Sequence, residues 1–149
     1  MVKKDPLQLV LQLAKDAEEQ ASLQLRSAKS EHQKARQQLD SLNNYRLEYM
    51  QQMSGKVGSN LSASQYHQFH RFVGQIDQAV GQQVEAVKKA EQQQGYRQQY
   101  WMEKQQKRKA VEMLLEKKAV KQQVTEAKSE QKLIDEFAIQ QLFRNKKVR

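Results

Sequence analysis

Every seventh residue between positions 7 and 49 of this chain is apolar. The run consists of Leu7, Ala14, Ala21, Ala28, Ala35, Leu42 and Tyr49, in a chain of 149 residues of which only 38% are hydrophobic. A strict seven-residue apolar repeat is typical of a helix that supercoils around another helix. A second, less regular row completes the predicted seam: Val10, Leu11, Ala17, Leu25, Leu39 and Met53. The repeat predicts a coiled coil, an architecture with no cleft for catalysis.

The composition agrees with a helical chain. There are 27 Gln, 29% charged residues, five Gly and one Pro, so strand formers and turn residues are both scarce. Gln, Lys, Glu, Ala, Leu and Arg all favour helix. The chain has no Cys for disulfides or thiolate metal sites, no signal-peptide core, and no run of 18 apolar residues. We therefore expect an all-α, soluble, cytoplasmic protein.

The first predicted helix covers about residues 6–53. Asp5 can cap its free backbone N–H groups, and Pro6 suits the first helical position, where a missing N–H is no loss. The hinge that follows, at about residues 54–64, contains Gly55 and Gly58, which can adopt the positive φ of a helix C-terminus.

The second predicted helix covers about residues 65–143, with Ser62 or Ser64 as its cap. Because a short connection makes neighbouring helices antiparallel, we expect a single coiled-coil hairpin domain over residues 1–149. Folding at the hinge places Tyr49 near Phe69. The predicted seam of the second helix contains Phe69, Val73, Ile76, Val80, Gln83 or Val84, Val87 and Ala90.

The second helix is too long for the first. From about residue 113 an overhang has no partner within the chain, yet it is rich in large apolar residues. They are Leu114, Leu115, Val120, Val124, Leu133, Ile134, Phe137, Ile139, Leu142 and Phe143. Leaving each large one in water forfeits about 1.5–3 kcal/mol, which favours burial in a partner over a frayed tail.

Charge is uneven as well. Residues 101–149 hold 13 Lys and Arg against seven acids, whereas residues 1–100 hold 13 against ten. The basic half is compatible with nucleic acid, anionic lipid or an acidic protein surface. It is also compatible with a solvated helix face that carries ion pairs between residues four apart.

No catalytic or metal-binding constellation is found in the sequence. His67 and His70 lie near one face of a helix but lack a third ligand, and zinc sites need three or four. The Gly55-x-x-Gly58 pattern lacks the Gly-Lys-Ser/Thr ending of a phosphate loop. We predict no enzymatic activity and no cofactor.

A group of residues near the hinge has a regular spacing on both helices. The predicted hairpin brings Gln38, Leu42, Tyr45 and Tyr49 of the first helix to Phe72, Ile76, Ala79 and Gln83 of the second. An apolar patch on a Gln-rich surface is typical of a docking site. A wider seam would show the same spacing, so both interpretations stay open.

Four short motifs, in this order about an off-centre hinge, resemble one family. They are Leu42-Asn-Asn-Tyr45-Arg-Leu-Glu-Tyr49, Gln68-Phe69-His-Arg-Phe72, Trp101-x-Glu103-Lys104 and Gln131-Lys132-Leu-Ile-Asp135-Glu136-Phe137-Ala138. The resemblance covers nearly the whole chain. In these motifs the chain resembles the FliJ family of flagellar type III export proteins.

The resemblance implies a fold and a set of partners. The fold is an antiparallel two-helix coiled coil similar to the rotor stalk of rotary ATPases. The partners are the hexameric ring of the export ATPase FliI, the cytoplasmic domain of the export gate FlhA, and export chaperones. The implied function is flagellar protein export, in which the stalk promotes ATPase ring assembly and coupling and escorts chaperones. The implied location is the cytoplasm, peripherally at the inner-membrane base of the flagellum.

The resemblance also implies binding residues. The family's gate-binding positions correspond to the eight residues near the hinge: Gln38, Leu42, Tyr45, Tyr49, Phe72, Ile76, Ala79 and Gln83. Gln83 stands where other members have His, and Ile76 replaces Leu. The C-terminal motif implies ATPase binding through Lys132, Asp135, Glu136 and Phe137.

Two other classes of protein remain as alternatives. A basic helical nucleic-acid-binding protein would explain the pI of about 9.7, although the basic residues are interleaved with acids and Gln, so we expect no nucleic acid. A purely structural coiled coil that dimerises through the overhang would explain its apolar residues.

Overall fold

The computed structural model describes residues 5–57 and 62–147, which form two α-helices. Helix α1 is Pro6–Val57, with 52 residues, and helix α2 is Ala63–Lys147, with 85. The described residues contain no strand. The predicted all-α fold with a longer second helix is confirmed.

The helix bounds differ in detail from those expected. Helix α1 runs through Gly55 to Val57, and no described Gly has a positive φ. The expectation for Gly55 is therefore wrong, because a helix that continues needs no left-handed residue there. Gly58 lies outside the described residues.

Both helices begin with a side-chain cap. The Leu7 N–H donates to Asp5 Oδ1 at 3.0 Å, which satisfies one of the free donors of the first turn. At α2, the Gln65 N–H donates to Ser62 Oγ and the Ser62 N–H donates to Gln65 Oε1, each at 3.2 Å. This reciprocal pair is a capping box, and it identifies Ser62 rather than Ser64 as the cap.

The chain divides into two compact units. The central unit is Ala17–Lys104, and the terminal unit combines Met1–Asp16 with Gln105–Arg149. A single domain over residues 1–149 stays a prediction.

In the central unit the two helices pack side by side and antiparallel. Tyr49 stacks on Phe69, as expected, with ring centroids 5.7 Å apart. Towards the start of α1 the partners lie progressively later in α2, and three polar contacts follow the same register: Arg46–Asp77, Gln38–Gln83 and Gln24–Arg97.

The heptad residues form the seam of α1. All seven are buried or half-buried, with Ala14, Ala21 and Ala28 among the buried ones. Leu25 from the second row is buried too, but Val10 is exposed, so its predicted place in the seam is wrong. Every predicted seam residue of α2 between Phe69 and Ala90 is at least half-buried, and Ile76 is buried.

In the terminal unit the first turns of α1 pack on α2. Val111 of α2 is buried, and Lys118 Nζ lies 2.6 Å from Asp5 Oδ2. Beyond that ion pair, every residue of the distal segment, which we define as residues 119–146, is exposed.

Candidate docking surfaces

The predicted hinge-side residues build an aromatic cluster in the central unit. Tyr49 is half-buried and contacts both Phe69 and Phe72, with a centroid distance of 4.4 Å to the second ring. Tyr45 meets Phe72 edge-on at 6.1 Å and keeps 51% of its surface exposed. Aromatic pairs at these distances stabilise one another beyond simple burial. Tyr49 is therefore mainly a packing residue, while about half of the Tyr45 side chain stays open to solvent.

The second helix contributes two different residues to this region: Ile76, which is buried, and Gln83, which hydrogen-bonds to the first helix. Ile76 is only 6% exposed, so it supports the surface from beneath and has little area left for a partner. Gln83 Nε2 donates to the Ala35 carbonyl oxygen at 2.9 Å and to Gln38 Oε1 at 3.2 Å. Because these bonds occupy the Gln83 amide, its conformation is fixed by α1.

A shallow groove joins half of the predicted residues. It has a volume of about 620 Å³, and its lining includes Gln38, Leu42, Tyr45 and Gln83. The remaining lining residues are polar: Lys34, Gln37 and Ser41. The structure thus brings these four side chains to one continuous surface, as expected of a docking site with an apolar centre and a polar rim. We call this groove together with the aromatic cluster the central patch.

An ion pair that the sequence pattern did not predict lies beside the central patch. Arg46 Nε lies 2.6 Å from Asp77 Oδ1, and both side chains remain partly exposed. An exposed pair of this kind contributes little to stability, typically under about 1 kcal/mol. The antiparallel register together with the opposite charges of Arg46 and Asp77 is the signal that would have found it.

The distal segment offers a second surface. Phe137 is 62% exposed, and the large apolar residues around it are similarly open to solvent: Leu133, Ile134, Ile139, Leu142 and Phe143. Lys132, Asp135 and Glu136, predicted to bind an ATPase, are exposed as well. Among these four residues the Asp135 carboxylate accepts a hydrogen bond from Gln131 Nε2 at 3.1 Å, one turn earlier. Because the four side chains of Lys132, Asp135, Glu136 and Phe137 are exposed, all of them are accessible to a partner.

One of the two histidines near the start of α2, His70, contacts aromatic rings. The His70 ring lies edge-on to Tyr66, with centroids 4.4 Å apart, and contacts Phe69 at 5.6 Å. Within residues 5–57 and 62–147, no group of three or more acidic, His or Cys side chains is arranged to hold a metal ion. The same residues contain no helix that is long and apolar enough to span a membrane.

The family model described as "Flagellar FliJ protein" matches residues 3–147 of the chain. The match extends over both helices and includes the central patch and the distal segment. The chain belongs to the flagellar FliJ family. No curated protein and no solved structure shows significant similarity to it.

Family membership gives this FliJ protein its general function. The family belongs to bacterial flagellum biogenesis, and its members are non-enzymatic components of flagellar protein export. The predicted resemblance is confirmed. The central patch and the distal segment are consequently the candidate surfaces of an export component.

Proposed function

We propose that this FliJ protein is a coiled-coil stalk that links the export ATPase to the export gate. In this proposal the distal segment binds the FliI ring, and the central patch binds the cytoplasmic domain of FlhA. The protein promotes ring assembly and couples ATP hydrolysis to export, and it escorts export chaperones. It acts in the cytoplasm, peripherally at the inner-membrane base of the flagellum, and contributes no catalytic residue.

The observation that carries the proposal is the exposure of large apolar side chains along the distal segment. Apolar patches of this kind on a monomer mark interaction sites. Phe137 is the one aromatic member of the predicted ATPase-binding residues, and the exposed Leu133, one turn earlier on the same face of the helix, extends the apolar surface beside it.

The ATPase assignment is tested by Phe137→Ala. Removal of a central aromatic anchor typically costs 2 kcal/mol or more, equivalent to about a 30-fold loss of affinity. We expect that loss of affinity for purified FliI, together with loss of the stimulation of ring assembly by this chain. Tyr96→Ala is the matched control, since Tyr96 is an aromatic of similar exposure, 70%, within the central unit. Equal FliI affinity of the two variants would refute the assignment.

The gate assignment is tested by Tyr45→Ala. Tyr45 is the patch residue with the most accessible ring, and its removal leaves the Tyr49–Phe69 stack in place. We expect binding to the FlhA cytoplasmic domain to fall at least tenfold, as for the loss of an aromatic anchor. Leu47→Ala is the control, because Leu47 is similarly exposed, at 55%, two residues along the same helix. The assignment fails if gate binding survives Tyr45→Ala or falls equally in both variants.

A further inference from the structure

The hydropathy of the distal segment is symmetric about Ala138. From Leu133 to Phe143 the sequence reads Leu-Ile-Asp-Glu-Phe-Ala-Ile-Gln-Gln-Leu-Phe. In either direction this is two apolar residues, two polar residues and one apolar residue before Ala138 is reached. A role in flagellar export does not require a helix to have a symmetric hydropathy. The symmetry therefore needs a separate physical explanation.

The symmetric residues form stripes around the helix. Residues four apart share a face, so Ile134, Ala138 and Leu142 form one stripe. Leu133 with Phe137 forms a flanking stripe, and Ile139 with Phe143 forms the equivalent stripe on the other side. All of these residues are exposed. The helix is therefore apolar on its central face and equally on both flanks.

We propose that the distal segment pairs with the distal segment of a second copy of this chain, antiparallel, about a two-fold axis at Ala138. In a two-fold interface the same patch is used by both subunits, so residue i meets residue j while j meets i. An axis at Ala138 sets Ile134 level with Leu142 of the second copy. The same axis places each flanking stripe beside the identical stripe of the second copy, so Phe137 lies beside Phe137 on one flank and Ile139 beside Ile139 on the other.

The residue on the axis is suited to its position. The distance between two packed helices depends on the side chains at their contact, and Ala138 is the smallest residue of the symmetric stretch. A large residue on the axis would meet its own copy and hold the helices apart. Ala138 instead permits close approach, while Ile134 and Leu142 fill the space on either side.

The charges beside the stripes act in opposite directions. On the flank of Phe137, Glu130 lies seven residues before it and Arg144 lies seven residues after it, so antiparallel pairing brings opposite charges together. On the flank of Ile139, Lys132 and Lys146 have the corresponding places, so pairing brings like charges together. Attraction on one flank and repulsion on the other give a reversible dimer, which leaves the segment available to other partners.

Disulfide trapping tests the axis directly, because the full chain contains no Cys. A residue on a two-fold axis faces its own copy, so Ala138→Cys should form a disulfide-linked dimer under mild oxidation. Gln131→Cys and Asn145→Cys lie two helical turns to either side on the same face. Each alone should stay monomeric, whereas a mixture of the two should form a mixed disulfide.

The outcomes of this trapping are distinct. Efficient cross-linking of each variant with itself at all three positions would indicate parallel pairing and overturn the proposal. No cross-link at position 138 would also overturn it, because the segment would then be covered only by a different protein. The purified chain alone is present, so either failure leaves the proposed ATPase and gate binding untouched.

Two charge reversals test the register independently of cysteine chemistry. Arg144→Glu replaces an attraction with a repulsion and should weaken the dimer about fivefold in sedimentation equilibrium at low salt. Lys146→Glu makes the same change of net charge but relieves the repulsion with Lys132, and should strengthen the dimer by a similar factor. Effects of the same sign would show that only net charge matters and would overturn the register.

Discussion

The two parts of helix α2 contain the same residue types in very different surroundings. Ile76, in the central unit, is 6% exposed and lies in a seam with α1, whereas Ile134, in the distal segment, is 60% exposed. Neither part is especially hydrophobic, and both are continuous helix. Burial in α2 therefore depends on whether α1 supplies a partner face, and the local sequence does not decide it.

The comparison separates residues that hold the fold from residues that are available for binding. In the central unit, most apolar side chains pack in the seam between the two helices. The edge of the aromatic cluster stays exposed to solvent. In the distal segment, every apolar side chain is exposed. An isolated helix without tertiary packing is marginal in water, so this segment gains most from a partner.

The largest expected effect comes from truncating the two isoleucines. Ile76→Ala removes buried methyl groups from the seam and should lower the free energy of unfolding by about 2–4 kcal/mol. Ile134→Ala removes exposed methyl groups and should change it by less than about 0.5 kcal/mol. Urea unfolding followed by circular dichroism, at protein concentrations low enough to avoid self-association, measures both.

The pair is its own control, because the substitution is identical and both sites are helical. A loss of several kcal/mol from Ile134→Ala would mean that the distal segment packs within the monomer. A negligible loss from Ile76→Ala would remove the central seam as the source of stability. Either result would erase the contrast between the two regions.

Much of this fold was accessible from the sequence for a simple reason. The heptad from Leu7 to Tyr49 has a single physical interpretation, and the structure buries or half-buries every member. Asp5 caps α1 as expected, and Ser62, one of the two serines considered, caps α2, because N-cap chemistry is local. The proximity of Tyr49 to Phe69 followed from the seam and the hinge position alone, whereas the stacked geometry is seen only in the structure.

The sequence was less informative where the answer depends on facing side chains. Val10 fits the second apolar row but is exposed, because a row beside the main seam is buried only if the partner helix reaches it. Gly55 looked like a helix end, but hydrogen bonding within α1 continued past it. The spacing near the hinge could not separate Ile76, which is buried, from Tyr45, which is half exposed.

A smaller effect is expected from helix propensity in the same two regions. Gly81 is exposed in the central unit, and a Cβ added there would meet open space. Gly81→Ala should therefore raise the free energy of unfolding by about 0.5–1 kcal/mol. Ser129→Ala makes a similar improvement in the exposed distal segment, where helix formation is not tied to the seam.

The two variants should differ in which observable changes. Gly81→Ala should shift the urea midpoint, while Ser129→Ala should leave the midpoint unchanged and increase the ellipticity at 222 nm before the transition. A midpoint shift of the same size in both variants would show that the distal segment unfolds together with the seam.

The smallest and most local effect concerns acid at the start of α1. The hydrogen bond from Lys118, helped by the Leu7 N–H, holds the pKa of Asp5 below its ordinary value of 3.8. A carboxyl whose folded pKa is depressed stabilises the fold above its unfolded pKa, and that contribution is lost as pH falls through the folded value. Hydrogen exchange at Leu7 and Gln8 should accordingly lose protection below about pH 4, relative to intrinsic rates.

The two helix starts permit a direct control for this acid effect. The cap of α2 uses Ser62 and Gln65, which do not titrate, so protection at Gln65 should stay constant over the same pH range. Asp5→Asn keeps a capping side chain but removes the charge, and should abolish the pH dependence at Leu7. If Leu7 in that variant still lost protection in acid, a group other than Asp5 would have to be the titrating one. If Gln65 lost protection in parallel with Leu7, the acid response would belong to the whole fold. It would then not be a local effect of the Asp5–Lys118 pair at the start of α1.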